Sequence, residues 1–347
     1  MSPSATPPVG PSLTFRGINY DTGTSYVPGW HSRPDWSDDV VRADLATIRD
    51  DLHCNAVSLF GSDVDRLSAA ASVAAGAGLH VWVQPRLLDA RPAALLAHLA
   101  AVAEMAERLR ATGAAVRLNV GCELSIFAAG IIPGSGYERR ARRLRWAWPA
   151  LPWFDQRLDR LLRRACAVAR ARFGGEVTYG AGSWETVDWR LFDAVGLNHY
   201  RDARNRRSYV ATLQRAHQHA KPVLVTEFGC CSYRGADRRG AAGDAIVDWR
   251  DPAEPTIRGS HRRDEVVQAR YITELLDCFD AAGVHGAFVF EFSEPAYPRA
   301  ADPRHDLDMA SFGVVAVHRD EIPHGVVHRT VPKAAFHEIA RRYGGAG

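Results

Sequence analysis

The chain is almost without lysine. It has 43 lysine and arginine residues in total, and only Lys221 and Lys333 are lysine. Together with the abundant alanine, this reads as a GC-rich coding bias. The net charge of +3 and a pI near 8.6 are too weak to argue for a nucleic-acid partner. Long hydrophobic runs are also missing. The longest, Ala93 to Ala106, is interrupted by His98 and Glu104 and is too short to span a bilayer, so no membrane partner is expected. Residues Met1 to Ser12 are rich in Pro, Ser and Ala, with no basic start and no apolar centre. They are expected to be a disordered tail and not a secretory signal, which makes the chain soluble and cytoplasmic by expectation. The six cysteines form no CxxC pair, which argues against a zinc site. Cys230-Cys231 is read as a pair of reduced thiols in a packed loop.

Several motifs are absent as well. The residues after the first strand, Tyr20-Asp21-Thr22-Gly23-Thr24, are not a GxGxxG phosphate loop, which argues against an open dinucleotide-binding sheet. No GxSxG nucleophile elbow occurs. The end of strand one reads Asn19-Tyr20-Asp21, where metal-dependent hydrolase barrels commonly carry an HxH pair. No metal and no cofactor are expected.

What is present is an alternation of short apolar runs with helical periods over 347 residues, which implies parallel strands joined by helices. Strands are predicted at Leu13–Tyr20, Asn55–Phe60, Leu79–Gln84, Val116–Cys122, Glu176–Ala181, Ala194–His199, Pro222–Glu227 and Val284–Glu291. Ser37 is a helix N-cap ahead of Val41, Leu45, Ile48 and Leu52. Pro92 opens the third helix, whose predicted stripe is Leu95, Leu99, Val102, Ala106 and Leu109. The fold class is therefore α/β, a (β/α)8 TIM barrel forming a single domain from residue 13 to 347. Long loops follow strands four, seven and eight (Leu124–Pro152, Phe228–His261, Phe292–Thr330). In such a barrel they would lie on one face with the carboxyl ends of the strands.

Two of those strand ends carry glutamates, Glu123 after strand four and Glu227 after strand seven. Paired carboxyls at one barrel mouth can protonate a glycosidic oxygen and attack or hydrate a sugar carbon. The separation that distinguishes the two outcomes is about 5–5.5 Å for retention and about 6.5–9.5 Å for inversion. Either glutamate alone could equally accept an arginine or cap a loop.

With both glutamates at matched strand ends, the chain resembles the large clan of retaining β-glycosidases with (β/α)8 barrels, from Gly17-Ile18-Asn19-Tyr20 to the closing Pro332-Lys333-Ala334-Ala335-Phe336. The resemblance implies Glu123 as general acid/base and Glu227 as nucleophile, with a carbohydrate as partner. It also implies a role for Tyr200, the tyrosine that hydrogen-bonds the nucleophile; a tyrosine packed at the rim is the alternative. Three positions depart from the clan. Cys122 stands where an asparagine usually precedes the acid, Ser58-Leu59-Phe60 lacks the strand-two arginine, and Phe290-Glu291-Phe292 lacks the strand-eight tryptophan.

By topology, Asn19, Arg86, Trp184, Tyr200 and Glu291 are candidate substrate contacts. Glu294 could bind sugar or make a salt bridge to surface arginines. The run of Arg139, Arg140, Arg142, Arg143 and Arg145 between Tyr137 and Trp148 reads as a solvated helix face, or as a basic lip for an acidic or phosphorylated sugar. The expected function is hydrolysis of a β-linked glycoside or oligosaccharide. The alternatives are sugar transfer, a barrel that binds carbohydrate or a partner without turnover, and a lyase or isomerase using the same carboxyls.

Overall fold

The computed structural model describes residues 13–345 apart from 27, 28, 145, 147, 323 and 324, so the predicted N-terminal tail and Arg145 lie outside the described residues. The strands β1 (Phe15–Gly23), β2 (Ala56–Gly61), β3 (His80–Pro85), β4 (Val116–Cys122), β5 (Val177–Gly182), β6 (Val195–Asn198), β7 (Val223–Phe228) and β8 (Gly286–Val289) close into a barrel in the order 1-8-7-6-5-4-3-2. Every pairing is parallel. Each expected strand is present, with ends displaced by a residue or more in most cases; β4 begins and ends where predicted.

The reasons are local and legible. Helix α1 (Asp38–Asp50) starts at Ser37, whose hydroxyl accepts the Val40 amide, and two aspartates in its first turn suit the positive end of the helix. Helix α2 (Val64–Gly76) is capped by Asp63. Helix α3 (Pro92–Arg110) opens on proline and buries Leu96, Leu99, Val102, Ala103, Met105 and Ala106. Leu99, Val102 and Ala106 of the predicted stripe are thus buried, while Leu95 and Leu109 lie partly buried at its margin. The bottom of the barrel is plugged by Phe15, Trp82, Leu224 and Phe288 with Ala56 and Ala194. Phe15 and Trp82 meet edge to face at 6.2 Å, a favoured aromatic geometry. This floor places the open volume at the carboxyl ends of the strands.

The long loops hold structure that strand and helix periodicity did not reveal. Loop 4 contains α4 (Leu124–Phe127) and α5 (Tyr137–Leu144) before α6 (Leu151–Arg170). Helix α7 (Tyr209–Ala216) follows β6 and α8 (Glu265–Ala281) precedes β8. Loop 8 includes an antiparallel hairpin, β9 (Val315–Ile322) with β10 (Gly325–Pro332), ahead of α9 (Ala334–Gly344). Buried Asp308 anchors loop 8, with Lys333 Nζ at 2.7 Å, Arg263 at 2.5 Å and Arg299 at 3.0 Å. The basic helix α5 is not simply a solvated face. Arg140 is buried, pairs with Asp89 and donates to the carbonyls of Ile126 and Gly134, so that one guanidinium ties the turns of loop 4 together. The six cysteines are free, and Cys230 and Cys231 are fully buried. Among the described residues no helix is long and apolar enough to cross a membrane.

Candidate active site

Strand irregularities aim the key side chains. Between Asn119 and Cys122 the β4–β5 register slips, with Gly121 at φ 145° and its amide bonded to Asn119 Oδ1 at 3.2 Å. Such a bulge re-aims the residues that follow it. Glu123 then sits in the left-handed region at φ 44°, a conformation disfavoured for a residue with a Cβ and maintained only when neighbours hold it. They do so here. Tyr179 Oη accepts the Leu124 amide at 2.7 Å, and Glu185 accepts the Ser125 amide at 2.9 Å, Tyr179 Oη at 2.9 Å and the Gly182 amide at 3.0 Å. A second slip, between Leu197 and Asn198 on β6, sets Asn198 opposite Glu227 on β7.

Glu227 is buried and its carboxylate is gripped from two sides. Arg86 Nη2 donates to Oε1 at 2.5 Å, and Tyr200 Oη donates to Oε2 at 3.1 Å. Arg86 is itself fixed by Gln84 Oε1 at 2.6 Å and 3.0 Å and by Tyr26 Oη at 2.9 Å. Its guanidinium lies 3.7 Å from the Phe60 ring centroid and 5.9 Å from that of Phe290, within cation–π range. The apolar end of β2, which lacks an arginine, thus supplies the ring on which an arginine from β3 rests. Tyr200 thus combines both arrangements left open by sequence: its hydroxyl bonds Glu227, and its ring packs edge-on against Phe290 and Phe312.

Glu123 receives Asn198 Nδ2 on Oε1 at 3.1 Å, and Thr226 Oγ1 donates to Asn198 Oδ1 at 2.8 Å. Burial, then the negative charges of Glu227 and Glu185, push the Glu123 carboxyl up to about 8. The residue is half-buried. A carboxyl in that range carries a proton at neutral pH and can give it up, the property a general acid needs. Cys122 lies buried between these groups, and burial pushes its thiol well above the ordinary range, so it is an inert neighbour with no thiolate character.

The other expected contacts fall out differently. Asn19 is a correction. It is 0% exposed, and its amide nitrogen donates to the carbonyls of Thr226 at 3.0 Å and Phe288 at 3.3 Å. It is a strut across β1, β7 and β8 and has no surface to offer a ligand. Trp184 is half-buried beside the turn that follows Glu123, with Nε1 on Ser125 Oγ at 2.9 Å. Glu291 is buried with Oε2 unpartnered. Burial and the charges of Glu294 and Asp21 raise it well above the usual carboxyl range. Among the described residues Glu294 pairs with no arginine; it accepts the Phe312 amide at 2.6 Å and acts as a loop brace. Sequence reasoning did not single out Asn198, Glu185 or Tyr26. Asn198 at the end of β6 was detectable by the strand-end rule that selected Tyr200, whereas Tyr26 lies in an irregular loop and carried no pattern.

No protein-family model and no curated protein matches the chain. Among solved structures, the chain is similar to a GH113 β-1,4-mannanase, with 14% identity, TM-score 0.61, and 96% of this chain and 99% of that one covered. It is also similar to a calcium-binding mutant of Bacteroides uniformis β-glucuronidase 2, with 14% identity and TM-score 0.55. That match covers 88% of this chain and 33% of the other, so the chain spans about a third of that protein. At such identities the likeness establishes a common (β/α)8 barrel and leaves the chemistry to the side chains described above.

Proposed function

We propose that the protein is a retaining glycoside hydrolase acting on a β-linked glycoside or oligosaccharide. Glu227 attacks the anomeric carbon as the carboxylate held by Arg86 and Tyr200, and Glu123 protonates the departing oxygen. The glycosyl–enzyme ester is then opened by water, whose proton returns to Glu123. One observation supports this reading above the others: two carboxyls at one mouth have environments that separate their roles, Glu227 accepting from a guanidinium and Glu123 pushed up to about 8. The acid itself is supported from β6 by Asn198.

The test is a panel of aryl β-glycosides with the wild type, Glu227→Ala and Glu123→Ala, followed by mass spectrometry after exposure to 2-deoxy-2-fluoroglycosyl fluorides. Turnover lost in both variants, with the label on the Glu227 peptide, is the expected result. Turnover that persists in Glu227→Ala, or a label elsewhere, would refute the assignment.

A further inference from the structure

Glu123 stands at the N-cap of α4, a single helical turn, yet its carboxyl makes no capping bond. An acidic residue at that position ordinarily folds back and accepts the amide two or three residues further on. Here those amides have other partners. The Ser125 amide donates to Glu185 Oε1 at 2.9 Å, and the Ile126 amide donates to the Glu123 carbonyl at 3.0 Å. The Leu124 amide donates to Tyr179 Oη at 2.7 Å. The turn is therefore capped from outside, and the Glu123 carboxyl is left to Asn198.

The substitute cap is built into loop 5, residues 183–188, which follows β5. The Glu185 amide donates to Gly182 O at 3.0 Å, and Glu185 Oε2 accepts the Gly182 amide at 3.0 Å and Tyr179 Oη at 2.9 Å. Both carboxyl oxygens thus receive N–H donors. Burial raises the Glu185 carboxyl, and these hydrogen bonds, which favour the charged form, oppose the rise. Trp184, the preceding residue, reaches the same target. Its Nε1 donates to Ser125 Oγ at 2.9 Å, and its ring lies over Gly182, where a Cβ would stand 2.6 Å from Cζ2. Loop 5 therefore holds Ser125 at its amide through Glu185 and at its hydroxyl through Trp184. Ser125 and Tyr179 are both buried, so water has little access to these bonds.

The titratable groups that act on Glu123 or feel its charge are Glu227 of β7, Glu185 of loop 5, Arg86 after β3, Cys122 of β4 and Tyr200 after β6. Glu227 is bound to Arg86 and Tyr200, and the Cys122 thiol is uncharged. Among these groups Glu185 is the one that also hydrogen-bonds the acid's own turn. We infer that Glu185 is the positioning residue of the acid: by capping the α4 turn in place of Glu123, it leaves the Glu123 carboxyl free to deliver a proton. This rests on the hydrolytic reading above. Without Glu185, the Ser125 amide is the open donor that an N-cap carboxyl ordinarily takes. A carboxylate that accepts a backbone amide titrates lower. Loss of the negative charge of Glu185 acts in the same direction.

The test uses the full chain as wild type, Glu185→Gln and Glu185→Ala. Glu185→Gln keeps the shape of the side chain and one carbonyl acceptor, so the inference stays testable if the alanine variant does not fold. Carbon-13 NMR titration of the Glu123 carboxyl needs no turnover. Its midpoint should be lower in the variants than in the wild type; an unmoved or raised midpoint would overturn the inference. The second arm is kcat/KM on phenyl and 2,4-dinitrophenyl β-glucosides and β-mannosides. Phenoxide departs with help from the acid, whereas dinitrophenoxide departs without it. The phenyl glycosides should therefore lose about tenfold or more, and the dinitrophenyl glycosides less than about threefold. An equal loss with both leaving groups would make Glu185 a general brace of the fold and overturn its role toward the acid. A wild type that cleaves none of these glycosides would count against hydrolysis, and the titration would still decide the cap.

Discussion

The side-chain amide of Asn198 donates to Oε1 of Glu123 at 3.1 Å, while the backbone of Asn198 pairs directly across the ladder with Glu227. One residue on β6 therefore ties both candidate catalytic carboxyls to a single rigid strand. Thr226 donates to Asn198 Oδ1, which turns Nδ2 toward Glu123. Oε1 is then an acceptor, and the proton of the neutral acid belongs on Oε2.

Asn198→Ala removes a donor that favours the charged form of Glu123, so the alkaline limb of the kcat/KM profile should move up in pH. kcat should fall by about one to two orders of magnitude, in line with the ~1.5–3 kcal/mol of a hydrogen bond to a charged group. Gly180→Ala should act in the same direction, because a Cβ there would stand 2.9 Å from Asn198 Oδ1 and 3.0 Å from Cys122 Cβ. Steady-state profiles from pH 5 to 10 check both variants; an unmoved limb in Asn198→Ala would remove this residue from the acid's control.

In the wild type that limb should centre near the about 8 of Glu123, with activity lost above it as the acid ionises. Glu227→Gln removes the neighbouring negative charge, so the Glu123 carboxyl should titrate lower. Carbon-13 NMR titration of that carboxyl measures the change directly, and an upward shift would contradict the electrostatic account.

In a Glu123 variant, stability and activity should move in opposite directions. A carboxyl whose folded pKa is raised from 4.5 to about 8 destabilises the fold increasingly as pH rises through that window. Glu123→Gln should therefore lower turnover by about 10²–10⁴-fold and yet raise the unfolding free energy by up to about 3 kcal/mol at pH 7, with little gain at pH 4. Urea unfolding at the two pH values tests this.

Arg86→Ala leaves the carboxylate of Glu227 buried without its main partner, a change expected to cost about 3–5 kcal/mol. Arg86→Lys should recover only part of this, because one ammonium cannot reach Gln84, Tyr26 and Glu227 and rest on Phe60 at once. Chemical denaturation of the three proteins would reveal the order; Lys equal to Arg would mean the fork geometry is irrelevant.

Loop 8 should depend on Lys333. Burial alone would raise the Asp308 carboxyl, but Lys333 and Arg263 outweigh it and the net shift is downward. A depressed carboxyl contributes stability above its unfolded pKa and loses it as pH falls through the folded value. Lys333→Met should thus destabilise by about 3–5 kcal/mol at pH 7, with the gap to wild type narrowing as acid protonates Asp308. Melting curves between pH 3 and 7 would show a constant gap if the pair is not coupled.

Sequence by itself determined the barrel and its two strand-end glutamates. Alternating apolar runs, the caps at Ser37 and Asp63 and the proline at position 92 are local signals, because they act within one turn or one strand. The closed strand order follows from eight such units. Only the tertiary structure decided what surrounds the carboxyls. Arg86 serves Glu227 because β3 and β7 face each other across the mouth, and Asn198 serves Glu123 because a register slip in β6 and a bulge in β4 bring them together. The same folding turned Asn19 from a candidate contact into a strut and set Glu185 of loop 5 on the turn that follows Glu123. These contacts link residues far apart along the chain, and periodicity, which reports only on near neighbours, carries no information about them.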